Sequence, residues 1–313
     1  MINTTGTLSD PESVQVPTPG IANLRTLLRR LIRFRYRASR FYRIPLGRNR
    51  GVWIEYDDSI NTDMLLGLHE PNTFEVFRQT VKPGMTVIDL GANIGYFCIY
   101  LDKLVGREGK VYAFEPVPST FATLKRTLER NKCGNTVPIQ KAVSDQNGYV
   151  DFFLSHTHYM SSLSAGWAGA ASQIMKVPSV RLDDFVGAEN IEPGFIKMDI
   201  EGGGVFALPG MAKTIKKNRP FLLLESHTPE EDLAIGKVLS ENRYRAYRIG
   251  DRTPLINLNA NHTDIHGVWG TLVGVHEERL KGLERFNPAK FQMFRFGQRA
   301  APVRLACCRG GMI

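Results

Sequence analysis

Five residues in two clusters carry the strongest chemical signal in this chain: Asp89, Gly91, Asn93 and Gly95, then Glu115. Asp89 closes an apolar run, Val87-Ile88-Asp89-Leu90, and Glu115 closes a second one, Val111-Tyr112-Ala113-Phe114. An acid, a glycine-rich turn and another acid about 20 residues on form the βαβ half of a nucleotide-binding sheet. The turn lets backbone approach a ligand, and the second acid suits the two hydroxyls of a ribose. A dinucleotide requires G-x-G-x-x-G, because a helix N-terminus must receive a pyrophosphate at close range. Asn93 stands where the middle glycine of that pattern would be. S-adenosylmethionine, which has no phosphate, suits the pattern better. Its ammonium would meet Asp89 directly or through water, and its carboxylate would meet Asn93 and the turn amides. Alone, such a turn is also an ordinary ligand-free connection; Glu115 is what makes it a cofactor site.

In an open α/β sheet, ligands bind beyond the carboxyl ends of the strands. Further polar residues fall at such ends: Ser144 with Asp145, Asp199 with Glu201, and Glu225 with His227. Ser144 and Asp145 follow the third strand, where an adenine edge would lie, although Ser-Asp-Gln-Asn-Gly is equally hairpin chemistry. Alternation through Ile196–Gly202 puts Lys197, Asp199 and Glu201 on one face. Methyl transfer from a sulfonium is an in-line displacement. The protein must position the acceptor, keep out water and, for a hydroxyl, remove a proton. Asp199, Glu201 and His227 are the catalytic candidates. Asp199, Glu225 and His227 would also suit a divalent ion, and salt bridging to Lys197 is the alternative account of these acids. His156 and His158 lie in a Ser-, Ala- and Gly-rich stretch and read as solvent-exposed or acceptor-contacting. No Asn/Asp-Pro-Pro-aromatic tetrapeptide ends this strand, and no Pro-Cys lies near it. Base, amide and pyrimidine-carbon acceptors are thereby disfavoured, and oxygen remains.

The elements that must hold these residues alternate. Strands are expected at 86–90, 110–115, 136–143, 195–199, 221–225, 243–249 and 270–275, with helices at 94–104, 118–131 and 229–241. Ser119 is a candidate cap for the second of these helices. A strand at 52–57 and a helix at 72–80 lead in, and 149–154 reads as an added strand after Asn147-Gly148. Residues 155–178 have poor periodicity and read as a substrate-facing loop. Alternating βα units call for a parallel sheet covered on both faces.

The chain has 313 residues and a formal charge of +9, unevenly placed. Residues 1–50 carry +8 and residues 285–313 carry +6, which leaves −5 for the body. A nucleic-acid enzyme more often concentrates positive charge around its active site, so nucleic acid is an unfavoured partner. From Ile21 to about Arg43 apolar residues recur at helical spacing between arginines. This reads as a basic amphipathic arm that lies on an anionic membrane surface or packs on protein. The four cysteines (98, 133, 307 and 308) make no C-x-x-C pair. Neither zinc nor a disulfide framework is indicated, and the cytoplasm is the expected compartment. The expected organisation is an arm at 1–50, a lead-in at 51–80, a catalytic domain at 81–276 and a basic tail at 277–313.

Val87–Gly95, Ala113–Pro116, Leu182-Asp183-Asp184-Phe185, Phe195–Gly202 and Leu222–His227, taken in order, resemble the FkbM family of methyltransferases. The likeness covers about residues 81–250. It implies a class I methyltransferase fold, a Rossmann-like α/β sheet of seven mostly parallel strands with helices on both faces and the last strand antiparallel. It also implies S-adenosylmethionine as donor and O-methylation of a sugar, glycolipid or polyketide hydroxyl. By that match Asp89, Gly91, Asn93, Gly95 and Glu115 are donor-binding positions, and Asp199 and Glu201 belong to the active site. The family usually continues Asp-x-Glu-Gly-Ala-Glu, whereas this chain has Asp199-Ile200-Glu201-Gly202-Gly203-Gly204. The lost acid either supports acceptor or metal, or merely begins the next helix, where it is worth under ~1 kcal/mol. Three other readings remain: a donor-binding partner without catalysis, an RNA methyltransferase and a nicotinamide enzyme.

Overall fold

The computed structural model describes residues 39–56, 62–154, 162–163, 173–249, 270–280 and 292–294. In chain order the first elements are β1 (Arg40–Arg43), β2 (Trp53–Tyr56), α1 (Thr62–Leu66), α2 (Pro71–Thr80), β3 (Thr86–Leu90), α3 (Cys98–Val105), β4 (Lys110–Phe114) and α4 (Pro118–Arg130). Next come β5 (Thr136–Ile139), β6 (Ala142–Val143), β7 (Gly148–Leu154), β8 (Gln173–Val180), α5 (Leu182–Ala188), β9 (Pro193–Met198), α6 (Gly204–Gly210) and α7 (Ala212–Asn218). The chain continues with β10 (Phe221–Ser226), α8 (Pro229–Glu241), β11 (Tyr244–Ile249), β12 (Gly270–His276), α9 (Glu277–Leu280) and β13 (Gln292–Phe294).

Seven strands form the expected sheet in the order β5-β4-β3-β9-β10-β12-β11, and β13 adds an eighth at the β11 edge. β12, the last of the seven in sequence, runs antiparallel to both of its neighbours. The short β13 covers part of an edge that would otherwise present unpaired amides and carbonyls. Strands buried on both faces read as continuous apolar runs, and alternate residues supply two separate layers. Val87, Phe195 and Leu223 join Ile54, Phe74 and Phe77 on one face. Ile88, Ile196 and Leu222 meet Leu208, Ile215 and Ile235 on the other. Asp89 and Lys197 are register partners on the first of these faces, at the upper end of β3 and β9.

Several expectations are corrected. The third strand breaks after Ile139, and β6 leaves the main sheet to join β7 and β8 in a three-stranded sheet. Residues 173–178 are strand rather than loop, because β8 pairs antiparallel with β7 along its length. Residues 40–43 are strand rather than helix: β1 pairs with β2. The arginine–aromatic mixture there works by stacking, with Arg43 and Arg130 placed over Trp53 and Arg130 also over Phe41. Ser119 does not cap α4; Val117 precedes the helix and Pro118 opens it, where a missing N–H costs nothing. The rest of the basic arm, His156 and His158, and most of 155–172 and 277–313 lie outside the described residues. No helix among the described residues is long and apolar enough to cross a membrane.

Candidate active site

A cleft of about 420 Å³ opens above the carboxyl ends of β3, β4 and β9. Gly91 makes that geometry possible. Its φ is +82°, and a Cβ there would lie 1.9 Å from the Asp199 carbonyl oxygen. Only glycine lets the β3 tip pass the β9 tip so closely. Gly95, at φ +88°, lets α4 approach, since a Cβ would stand 2.8 Å from Leu124 Cδ1. Between them Asn93 adopts the left-handed region that asparagine tolerates, and its Oδ1 accepts a bond from the Ile94 amide at 2.8 Å.

Glu115 is clamped at the β4 tip. Its Oε2 accepts from the Asn93 amide at 3.1 Å and its Oε1 from the Val117 amide at 2.9 Å. Each oxygen keeps acceptor capacity toward the cleft, so the pair matches a vicinal diol. Burial raises the Glu115 pKa to about 7, against the two amide bonds, which lower it. Gly91, Asn93 and Glu115 line the cleft together, and this arrangement fits an adenosine-type donor.

Asp89 is placed differently. It is buried beneath the cleft, and the lining skips it. Its Oδ2 accepts from the Cys98 thiol at 3.2 Å, and its Oδ1 lies 3.4 Å from Lys197 Nζ. Burial keeps Cys98 protonated, with its pKa well above the ordinary thiol value. Lys197 does line the cleft, so Asp89 reaches it through that cation. Ser144 and Asp145 stand apart. The Ser144 hydroxyl donates to Asp145 at 3.0 Å, its amide pairs with Val180, and its carbonyl presses against Gly210. Lys141, Ala142 and Val143 form that part of the wall instead.

The acceptor-side candidates converge. Lys197 Nζ lies 3.2 Å from Asp199 Oδ2. His227 Nε2 lies 3.8 Å from Asp199, 3.5 Å from Glu201 and 3.5 Å from Glu225. Asp199 and Glu201 line the cleft, and His227 sits directly behind them. Burial disfavours charge on His227, but Glu225, Glu231, Glu201 and Asp199 outweigh it and raise its pKa to about 11. Burial likewise works against the Asp199 carboxylate, and Lys197 and His227 hold its pKa below the usual value. Glu225 goes the other way: burial and Asp199 raise it to about 6. Glu201 holds a left-handed φ of 51°, a conformation that costs a non-glycine residue energy and persists where surrounding structure enforces it.

Two residues escape a reading by strand tips. His69 lines the cleft from the lead-in segment and stacks on Phe97. It bonds Asp63 at 2.9 Å and Glu70 at 3.1 Å, and these carboxylates overcome its burial to raise its pKa to about 9. Nothing in its sequence neighbourhood marks it. Glu231 does have a local signal, the capping-box pattern Thr228-x-x-Glu231. The Thr228 hydroxyl accepts from the Glu231 amide at 3.1 Å, as the pattern predicts. The Glu231 carboxylate, however, accepts from the Gly204 and His227 amides, each at 2.8 Å. Gly204 thereby acquires a reason: a Cβ there would lie 2.4 Å from Glu231 Oε1 and 2.8 Å from Met198 Cε. A side chain at 204 would require the Glu231 carboxylate and the Met198 methyl group to move from the positions they hold here.

Residues 89–249, just over half of the chain, match the family described as the methyltransferase FkbM domain. The chain is 27% identical over 218 residues to the 31-O-demethyl-FK506 methyltransferase FkbM of Streptomyces tacrolimicus, covering 60% of this chain and 81% of that one. It is 26% identical over 180 residues to Methyltransferase 1 of Beauveria bassiana, covering 50% and 70% respectively. Against the solved structure of a methyltransferase FkbM from Methylobacillus flagellatus KT it has 17% identity and a TM-score of 0.41, covering 70% of this chain and 55% of that one. The described strand order, the cleft and the matched segment agree, and the chain belongs to the FkbM family of S-adenosylmethionine-dependent methyltransferases.

Proposed function

We propose that this protein methylates a hydroxyl oxygen of a sugar, glycolipid or secondary metabolite. One observation carries the reading: Asp199 and Glu201 share the cleft wall with Glu115 and Lys197, with His227 behind them. S-adenosylmethionine supplies an electrophilic methyl group on a sulfonium. Glu115 would take the ribose hydroxyls, and Asn93 with the turn amides the amino-acid end. Asp199, held by Lys197, positions the acceptor hydroxyl beside Glu201, and Asp89 behind it is neutralised by the same lysine. Glu201 accepts the acceptor hydroxyl and takes its proton as the oxygen attacks. Lys197 and His227 keep the Asp199 carboxylate ionised and fixed in place. Apolar Ile94, Phe114 and Val143 exclude water from the path. The Streptomyces relative carries O-methylation in its name, which supports oxygen as the acceptor atom. The acceptor class itself rests on the family resemblance.

The test is transfer from labelled donor to a pool of hydroxylated glycans and lipids, with mass spectrometry of cells carrying or lacking the gene. A product heavier by one methyl group is expected. Asp199→Asn should retain donor affinity to within about tenfold and lose roughly 10²–10⁴-fold in turnover, the usual range for a lost acid–base or positioning group. Normal turnover in Asp199→Asn would remove that residue from the mechanism. Donor binding with no transfer to any hydroxyl would make the chain a donor-binding partner protein instead, and labelling of RNA would move the acceptor to nucleic acid.

A further inference from the structure

We infer that Asp199, Glu201 and Nε2 of His227 form a binding site for one divalent cation of the Mn²⁺ type. One ligand atom from each lies within 4.8 Å of the others, beyond the tips of adjacent strands, with Asp199 and Glu201 on the cleft wall and His227 behind them. The separations of 3.5 and 3.8 Å from Nε2 to the two carboxylates need close by only about 0.5–0.8 Å to reach the edge of about 3.0 Å that bonds near 2.1 Å give in an octahedral shell. Two carboxylates and one imidazole are the mixed oxygen–nitrogen set that first-row divalent ions take.

Geometry around the imidazole supports the assignment independently of the acids. The His227 side chain is 2% exposed, and its Nε2 points into the gap between Asp199, Glu201 and Glu225. Behind it, Glu231 is fully buried, and its Oε2 lies 3.5 Å from Nδ1. A carboxylate on the far nitrogen is the arrangement that fixes the tautomer and orientation of a metal-bound histidine. Glu231 is itself fixed by the Gly204 and His227 amides, in a position that a Cβ at residue 204 would displace. The glycine that interrupts the family pattern therefore makes room for a positioning acid supplied from α8. Among the described residues, five carboxylates meet here (89, 199, 201, 225 and 231) against the cations Lys197 and His227. A divalent cation that displaces the His227 proton would offset that excess by one further charge. Asp199 Oδ2 stays with Lys197, Glu201 keeps its second oxygen for the acceptor, and the ion would place a Lewis acid beside the acceptor hydroxyl.

That role rests on the proposed O-methyl transfer; the occupancy of the site does not. The experiment is therefore binding of Mn²⁺ alone to the chelator-treated full chain, read by loss of the free-ion electron paramagnetic resonance signal and by calorimetry, without donor or acceptor. One ion per chain is expected. Asp199→Asn and Glu201→Gln should each weaken binding at least about tenfold, and Glu231→Gln about 10–100-fold, the range for a lost outer-shell partner. Circular dichroism checks that each variant is folded. Glu201, at the cleft wall and a quarter exposed, keeps the test decisive should a buried substitution unfold the chain. Asp145→Asn, away from the cluster, should bind as wild type. Absence of Mn²⁺ and Zn²⁺ binding up to about 1 mM, the weak end of divalent sites, would overturn the inference and leave His227 as the protonated hub of an ion-pair network. Wild-type affinity in folded Glu201→Gln would overturn it equally. A chain that methylates hydroxyls without binding the ion keeps the function and loses this site. One that binds the ion and methylates nothing does the reverse.

Discussion

At the scale of single residues, the environment decides what each acid does. Glu115 and Asp89 both end apolar runs, yet one faces the cleft and the other an internal lysine. Alternation explains the difference: Asp89 lies within β3, whereas Glu115 lies one residue beyond β4, where the chain turns. The pKa of about 7 held by Glu115 has a measurable consequence. If Glu115 takes the ribose as proposed, the hydroxyls donate to its ionised form, so donor affinity should be full above pH 7 and fall as pH drops through 7, by up to about tenfold per unit. Calorimetric titration of S-adenosylmethionine at roughly pH 6 and pH 8 should show that loss in the wild type. Glu115→Gln should bind weakly at both and show only whatever slope the donor itself contributes. Equal slopes in the two proteins would take Glu115 out of the ribose site. The same scale explains why Glu231 is hard to see in advance. Its capping pattern is visible, but its carboxylate turns away toward Gly204, 27 positions earlier in the chain.

Elements hold the site through contacts that their own sequences only partly announce. The Leu182-Asp183-Asp184-Phe185 segment is a case in point. Asp183 opens α5, yet its carboxylate caps a different helix, accepting from the Lys213 amide at 3.1 Å and from the Thr214 amide and hydroxyl, each at 2.7 Å. Through α7 it seats Ile215 in the apolar layer beneath β9, which carries Lys197 and leads into Asp199. Asp183→Ala should cost about 1–2 kcal/mol, the usual loss for a helix cap. Denaturant unfolding should show a lower midpoint at unchanged slope, with donor affinity nearly intact. A loss of donor binding at unchanged stability would make Asp183 a ligand-contacting residue instead. The βα alternation from Thr86 to Glu241 was legible because buried parallel strands are long apolar runs bounded by glycine and proline. What stayed hidden depended on pairing. Thr136–Ile139 and Ala142–Val143 read as one strand, since only the presence of β8 shows that the second piece belongs to another sheet. Gln173–Val180 lacks apolar alternation at its start, where Gln173 and Ile174 are exposed. In the cleft, Glu115, Asp199 and Glu201 follow from strand tips, Asp89, Ser144 and Asp145 lie off its lining, and His69 arrives from a segment with no periodic signal and depends wholly on tertiary packing.

For the molecule as a whole, the lead-in is part of the catalytic body rather than an appendage. Ile54, Met64, Phe74 and Phe77 share one apolar layer with Val87 and Phe195, and Arg126 of α4 reaches back in a bidentate pair with Glu55. Stability of the whole should therefore sense the ionisation of His69, which links this segment to the cleft. The imidazole is 14% exposed and is held by Asp63 and Glu70, with a pKa raised from 6.5 to about 9. The folded state binds a proton that the unfolded chain releases, so the contribution is complete below pH 6.5 and disappears as pH rises through 9. Its size is of order 3 kcal/mol from the shift. His227 adds a slope of its own across the same range, so the wild type alone does not isolate the effect. The difference between wild type and His69→Gln does, because His227 is common to both. Urea unfolding from about pH 6 to pH 9.5 should show a gap that narrows steadily with rising pH. A gap independent of pH would mean that His69 holds the lead-in by stacking on Phe97 and by its edge-to-face contact with Tyr96, and that its charge contributes nothing.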